Sequence, residues 1–320
     1  MTKKILVIGG LGFIGSRLCD LLNSAGHTVT ILDKRAGSLE TINGVQYIVG
    51  DVRVEADVVA AMNGVDVVFN LAAEHQDDVR PLSLYYDVNV LGAATVGRAA
   101  AATGVRRIIF TSSVAVYGSQ SAPMTEDAPH LYFNEYGRTK HLAEKELIAW
   151  AAEDAVRSLT IVRPTVVFGP GNKGNVFNLL RQIKHGPFIM FGTGQNRKSL
   201  AHVENVSRFL SASIDNGLGV NIFNYSDRPD YTMNELVALV YKGLGRNPQQ
   251  VLRFPLWLGI VGGNIADLMS KLIGRRLPIS AIRIQKFCAP SLIDSSKAFR
   301  TGFKAETLLA AALVDMVSAV

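Results

Sequence analysis

The chain has 320 residues, 48% of them hydrophobic and 19% charged, and a formal net charge of +6. This length and apolar content exclude a disordered chain and allow one large or two modest domains. The basic excess suits an anionic ligand such as a diphosphate, or an anionic membrane surface. Nucleic acid is not expected, because no cluster of Lys and Arg is interleaved with aromatic residues.

Cys19 and Cys288 have no metal-ligand spacing, and no metal is expected. The chain enters an apolar strand directly after Lys3 and Lys4, without a secretory pattern, so a reducing cytoplasm is the expected compartment. No apolar run approaches the roughly 18 to 20 residues needed to span a bilayer.

In chain order, residues 5–8, 28–32, 45–49, 65–71, 107–111 and 159–163 read as short buried strands. Residues 12–24, 83–103 and 136–153 read as helices between them. Such alternation predicts an α/β fold, a Rossmann-type doubly wound parallel sheet with helices on both faces. After Gly169 turn residues become dense, and residues 176–184 and 233–244 read as helices. The expected organisation is a Rossmann domain over residues 1–170 and a smaller, partly helical, mainly substrate-binding domain over 171–320, with the chain crossing back after 170.

Gly9-Gly-Leu-Gly12-Phe-Ile-Gly15 follows the first strand and opens a helix. Its glycines permit a tight turn and close approach of backbone to a pyrophosphate. The helix start at Phe13 and Ile14 offers N–H groups and positive dipole to the phosphates. Asp33 ends the second strand, where a carboxylate accepts hydrogen bonds from an adenosine ribose and repels a 2′-phosphate, favouring NAD over NADP. The cations Lys34 and Arg35 beside it weaken that discrimination. Asp51 and Val52 end the next strand, within reach of an adenine edge. Leu71, Ala72 and Ala73 end the fourth, where small residues let a cofactor approach.

Thr111-Ser112-Ser113 ends another strand, and Tyr136 and Lys140 lie four apart on one helix face. An ammonium beside a phenol favours the phenolate, which can take a proton from a hydroxyl as hydride leaves to a cofactor. A neighbouring serine hydroxyl can polarise the same oxygen.

These features, with Asn89, Arg163-Pro164-Thr165 and Phe168-Gly-Pro170, resemble the extended short-chain dehydrogenase/reductase family over nearly the whole chain. The resemblance implies Ser113 as catalytic serine, with Ser112 beside it, Tyr136 as base, and Lys140 also binding the nicotinamide ribose. Asn89 and Pro164 would join the cofactor site. Members that dehydrate sugars carry an Asp-Glu pair just after the serine strand. Here the positions read Val114-Ala115, so the chain resembles the 4-epimerases.

Residues 72–79, 83–89, 174–180 and 286–289 resemble bacterial 4-epimerases of N-acetylglucosamine linked to undecaprenyl diphosphate. Epimerases of UDP-N-acetylglucosamine share much of the pattern. The resemblance implies a diphosphate-linked amino sugar as substrate, O-antigen-type glycan assembly as context and a homodimer. His75, Val114, Asn175, Lys198, Arg283 and Lys286 are the candidate substrate contacts. Glu74-His75 replaces the cation usual after the fourth strand, which leaves the sugar pocket open. Rival readings are a UDP-glucose 4-epimerase, a net NAD(P)-dependent reductase or dehydrogenase, and a non-enzymatic NAD sensor. The apolar stretch 254–276, with Trp257 and flanking cations, suits either a peripheral membrane contact or packing within the protein or a dimer.

Overall fold

The computed structural model describes residues 1–35, 44–76, 79–118, 123–186, 188–248, 251–273 and 281–319. Its first half alternates β1 (Lys4–Ile8), α1 (Phe13–Ser24), β2 (Thr28–Asp33), β3 (Gln46–Val49), α2 (Glu55–Met62) and β4 (Val67–Asn70). Then come α3 (Ser83–Tyr86), α4 (Gly92–Thr103), β5 (Arg107–Thr111), α5 (Glu135–Ala152), β6 (Ser158–Pro164) and β7 (Val166–Phe168). The second half adds α6 (Asn175–His185), β8 (Ile189–Phe191), β9 (Arg197–Lys198), β10 (Leu200–His202), α7 (Val203–Ala212) and β11 (Gly219–Tyr225). It ends with β12 (Tyr231–Thr232), α8 (Met233–Gly243), β13 (Leu252–Phe254), α9 (Leu256–Ile273), α10 (Ala281–Cys288), α11 (Ser296–Arg300) and α12 (Leu309–Ala319).

Seven parallel strands form the main sheet in the order β3-β2-β1-β4-β5-β6-β11. The order reverses between β1 and β4, which opens a crevice at their carboxyl ends. Ile5 to Ile8 are all buried because both faces of β1 are covered. Leu6 and Ile8 join Val58, Val96, Leu147 and Trp150 on one face. Ile5 and Val7 join Leu18, Leu22, Val206 and Phe209 on the other. A third core, with Leu180, Ile183, Met190, Leu236, Val240 and Leu313, holds α6, α8 and α12 together around β8.

After residue 170 the chain returns to the sheet: α7 packs on α1, and β11 pairs with β6 at the edge. Strand boundaries shift from expectation by one or two residues, as at β3 and β4. The expected single helix over 83–103 is interrupted by a π-helical turn, Asp87–Leu91, between α3 and α4. That wider turn carries Asn89, whose amide makes tertiary hydrogen bonds described below.

Candidate active site

The glycine loop lies in the crevice between β1 and β4. Gly9 has φ +79°, and a Cβ there would come within 2.8 Å of the Ala72 nitrogen. The loop therefore presses directly on the Leu71–Ala72 backbone, which only glycine permits. A Cβ on Gly15 would meet the Gly9 carbonyl oxygen at 2.4 Å, so α1 docks flush on the loop. No side chain caps α1 and no acid stands in its first turn. Its N–H groups around Phe13 and Ile14 are left for an anion.

Asp33 is buried at the end of β2. Its Oδ2 accepts the Leu11 N–H at 3.1 Å, fixing the loop. Arg35 closes on the same carboxylate through Nε and Nη2, each at 3.2 Å. Lys34 is exposed. Asp51 pairs with Arg53, Nη2 to Oδ2 at 2.5 Å, and this hydrogen bond holds its carboxyl below the ordinary value. The Val52 side chain is buried against Gly92, in the core under the loop. Ala73 is half-buried beside Ala72, and Pro164 ends β6 opposite Tyr225.

Ser113 caps the 3-10 turn Val114–Tyr117, its Oγ accepting the Ala115 N–H at 3.1 Å. Asn134 caps α5 in the same manner, accepting from Gly137 at 2.9 Å. A Cβ on Gly137 would come 2.3 Å from the Ala115 oxygen, so α5 sits directly on that turn. The close approach sets the Tyr136 phenol beside the Ser113 side chain. Burial pushes the phenol pKa up, and the Ser113 hydrogen bond partly offsets it. One turn on, Lys140 is 1% exposed, with Nζ 4.0 Å from the Phe110 ring centroid and no hydrogen-bond partner among the described residues. Burial lowers its pKa to about 7, opposed by the Glu144 carboxylate.

A buried ammonium without a partner is costly unless a ligand supplies acceptors. The hydroxyls of a nicotinamide ribose supply that chemistry. Together with the open N-terminus of α1 and the Gly9 cradle, Lys140 fits NAD. Asn89 is used differently from expectation. Its Oδ1 accepts the Glu74 N–H at 2.8 Å, and its Nδ2 donates to the Glu74 carbonyl at 3.1 Å and to Thr139 Oγ1 at 3.0 Å. It ties the loop after β4 to α5. Ser112, expected at the cofactor, is buried and donates to Glu144 Oε1 at 2.5 Å.

Glu144 was not among the expected site residues. Its signal was the spacing Tyr136, Lys140, Glu144, one stripe on α5 at i, i+4 and i+8. Arg163 from β6 clamps its carboxylate, Nε to Oε1 at 2.9 Å and Nη2 to Oε2 at 2.7 Å. Arg163 Nη1 also reaches the Tyr117 hydroxyl at 2.6 Å. Burial raises the Glu144 pKa, but the bonds from Arg163 and Ser112, with the His141 ring nearby at 3.9 Å, outweigh it and leave the carboxyl well below its ordinary value. His130 lies tilted against His141, ring centroids 4.0 Å apart, and burial and His141 lower its pKa to about 4.

On the substrate side, Asn175 opens α6 behind Gly174, a helix start without a side-chain cap. Lys198 on β9 is half-buried, and its Nζ donates to the Ala289 carbonyl at 2.6 Å, just past α10. Burial lowers its pKa to about 8. Val114 is half-buried beside Ser113 and His75 is exposed after β4. Arg283 and Lys286 lie on α10, their side chains outside the described ones. The structure thus brings Ser113, Tyr136 and Lys140 together under the β1/β4 crevice.

The NAD dependent epimerase/dehydratase family matches residues 5–225. The chain is 43% identical over 318 residues, 98% of its length and 94% of the relative's, to N-acetyl-alpha-D-glucosaminyl-diphospho-ditrans,octacis-undecaprenol 4-epimerase of Escherichia coli O157:H7. It is 31% identical to UDP-glucose 4-epimerase of Vibrio cholerae over 287 residues, 86% of each chain. The solved structure of MoeE5 in complex with UDP-glucose and NAD superposes with a TM-score of 0.75 at 27% identity, covering 98% of this chain and 97% of that one. With its seven-stranded Rossmann sheet, its glycine loop and its Ser-Tyr-Lys set, the chain belongs to the NAD dependent epimerase/dehydratase family, as an extended short-chain dehydrogenase/reductase of the sugar 4-epimerase type.

Proposed function

We propose that this enzyme converts diphosphate-linked N-acetylglucosamine to its N-acetylgalactosamine epimer, with undecaprenyl diphosphate as the carrier, in O-antigen-type glycan assembly. The observation that carries this reading is the seating of α5 on the Ser113 turn, which sets Tyr136 beside Ser113, next to a buried Lys140 that has no hydrogen-bond partner among the described residues. The 43% identity to a lipid-linked 4-epimerase supports the substrate.

NAD, when bound, supplies the acceptor and donor of the C4 hydride. Gly9, Gly12, Phe13, Ile14 and Gly15 cradle its pyrophosphate. Asp33 and Lys34 face the adenosine ribose, Asp51 and Val52 the adenine, and Leu71, Ala72, Ala73 and Pro164 line the crevice. Asn89 and Ser112 act through the loops they hold. Lys140 donates to the nicotinamide ribose and favours the Tyr136 phenolate. Tyr136 takes the O4 proton, Ser113 holds O4, and the same phenol returns the proton after the 4-keto sugar has turned over. Val114 and Ala115 offer no acid or base to expel a C6 hydroxyl, so oxidation is followed by reduction at the same carbon. Asn175, Lys198, Arg283 and Lys286 serve the diphosphate, and His75 and Val114 the sugar. We further propose a homodimer, acting peripherally at the cytoplasmic membrane face through 254–276, with residues 1–170 mainly for NAD and 171–320 mainly for substrate.

The test offers the purified enzyme the polyprenyl-diphosphate and UDP forms of N-acetylglucosamine without added NAD, with product analysis. The expected result is the C4 epimer on the polyprenyl carrier and a loss of at least about 100-fold in Tyr136→Phe. Turnover restricted to UDP-sugars overturns the carrier. Steady net consumption of NADH overturns epimerisation, and near-normal turnover by Tyr136→Phe overturns the catalytic assignment.

A further inference from the structure

Helix α9 reverses the usual placement of apolar residues. At 3.6 residues per turn, Trp257, Val261, Ile265, Leu268 and Leu272 fall within about 80° of arc. All five are exposed: 63%, 49%, 55%, 60% and 78%. The opposite face, which meets the protein, carries Gly259 and Gly263, both buried. A Cβ on Gly259 would come 2.7 Å from the Phe191 ring, so the helix lies flat on β8. A helix packed on a globular core turns its large apolar side chains inward. Here Gly259 and Gly263 face in and the large residues of the stripe face out. A contiguous apolar stripe of this kind marks an interaction surface.

Charge selects the partner. Residues 254–286 contain five cations, Lys271, Arg275, Arg276, Arg283 and Lys286, and one acid, Asp267. The Asp267 carboxylate is engaged within the fold, accepting the Ala281 N–H at 3.1 Å where α10 begins. A two-fold contact between copies would set this basic segment against itself. An anionic headgroup layer complements it, and Trp is suited to that boundary. No described helix is long and apolar enough to cross a membrane, so α9 would lie in the interface plane.

We propose that α9 docks on the surface of an anionic bilayer with its Trp257–Leu272 stripe inserted among the headgroups and upper acyl chains. The docked helix packs on α10, whose end accepts the Lys198 ammonium at Ala289. A lipid-linked diphosphate would then be presented close to that cation. Docking gives a geometry to the peripheral contact put forward under the proposed function, and this last consequence rests in addition on the lipid-linked substrate proposed there.

The chain has two tryptophans. Trp150 is 4% exposed in the core, so a change in emission reports on Trp257. The full-length protein is titrated with phosphatidylglycerol vesicles and with phosphatidylcholine vesicles, following emission and flotation. The expected result is a blue shift and flotation with phosphatidylglycerol, weakened by salt. Leu268→Glu with Leu272→Glu should lose at least about tenfold in vesicle affinity. Its turnover of a water-soluble, short-chain diphosphate sugar should stay at the wild-type level. Unchanged wild-type emission with phosphatidylglycerol overturns the proposal without needing a variant. So does flotation of the double variant at the wild-type level, or an oligomer that the variant dissociates while neither form binds vesicles. Docking without turnover of any lipid-linked sugar would instead strike the proposed function and leave the surface assignment standing.

Discussion

Glu144 lies one turn beyond Lys140 on α5, and Arg163 from β6 holds its carboxylate through two hydrogen bonds of 2.9 and 2.7 Å. Both side chains are buried. The pair also receives the Ser112 hydroxyl, so the end of β5, which leads into Ser113, is tied to the helix that carries Tyr136 and Lys140.

Removing one partner of this pair leaves an uncompensated buried charge. Glu144→Gln should cost about 3–5 kcal/mol in urea unfolding at neutral pH. Adding Arg163→Met should recover most of that loss. The Glu144 pKa is lowered in the folded state, so its stabilisation is present above the ordinary carboxylate value of 4.5 and is lost as pH falls through the folded value. The double variant should therefore lose stability less steeply below pH 4.5 than the wild type. Equal steepness would show that another group governs acid unfolding.

Lys140 presents the opposite case. Its pKa falls from 10.5 to about 7 on burial. Between those values the unfolded chain binds a proton that the folded chain does not, so stability without NAD rises as pH rises from 7 to 10.5. Lys140→Met should remove this slope and stabilise the NAD-free protein by about 1–3 kcal/mol. It should also abolish epimerisation. Thermal melts across pH, with and without NAD, measure both effects, and NAD should narrow the stability gap in favour of the wild type.

Gly137→Ala places a methyl 2.3 Å from the Ala115 oxygen. The backbone contact cannot yield without lifting α5 from the 3-10 turn. The expected cost is about 1–3 kcal/mol, with a fall in turnover as Tyr136 leaves Ser113. Steady-state kinetics should show the loss in kcat more than in KM.

Arg35 is held by Asp33 in the structure. Asp33→Ser removes the carboxylate that repels a 2′-phosphate and releases this guanidinium to bind one. Cofactor preference should shift from NAD towards NADP by at least about tenfold, since one charge-assisted contact is worth about 1.5–3 kcal/mol. Binding titrations of both dinucleotides to the NAD-free protein measure the ratio. The Leu11 N–H loses its acceptor in this variant, so absolute affinity for NAD should also fall.

The α/β class, the glycine loop and the pairing of Tyr136 with Lys140 were legible in the sequence because each depends on local order. Strand runs such as 5–8 carry their burial in their composition. The loop's glycines are adjacent along the chain, and Tyr136 and Lys140 are joined by one helical turn. The π-helical turn was not legible, because it serves Asn89, whose partners Glu74 and Thr139 lie 15 and 50 residues away. The same holds for Ser112: nothing beside it in the chain indicates that its hydroxyl meets Glu144 rather than a ligand.

The sequence by itself determined which groups could perform the chemistry, since hydrogen-bonding capacity and charge belong to residue types. The tertiary structure decided which of them are available. Glu144 and Arg163 neutralise each other across α5 and β6, while Lys140 is buried without a partner. It likewise decided that α9 turns Gly259 and Gly263 inward and its large apolar residues outward. Apolar periodicity states that a helix has a face; only packing against Phe191 states which way that face points.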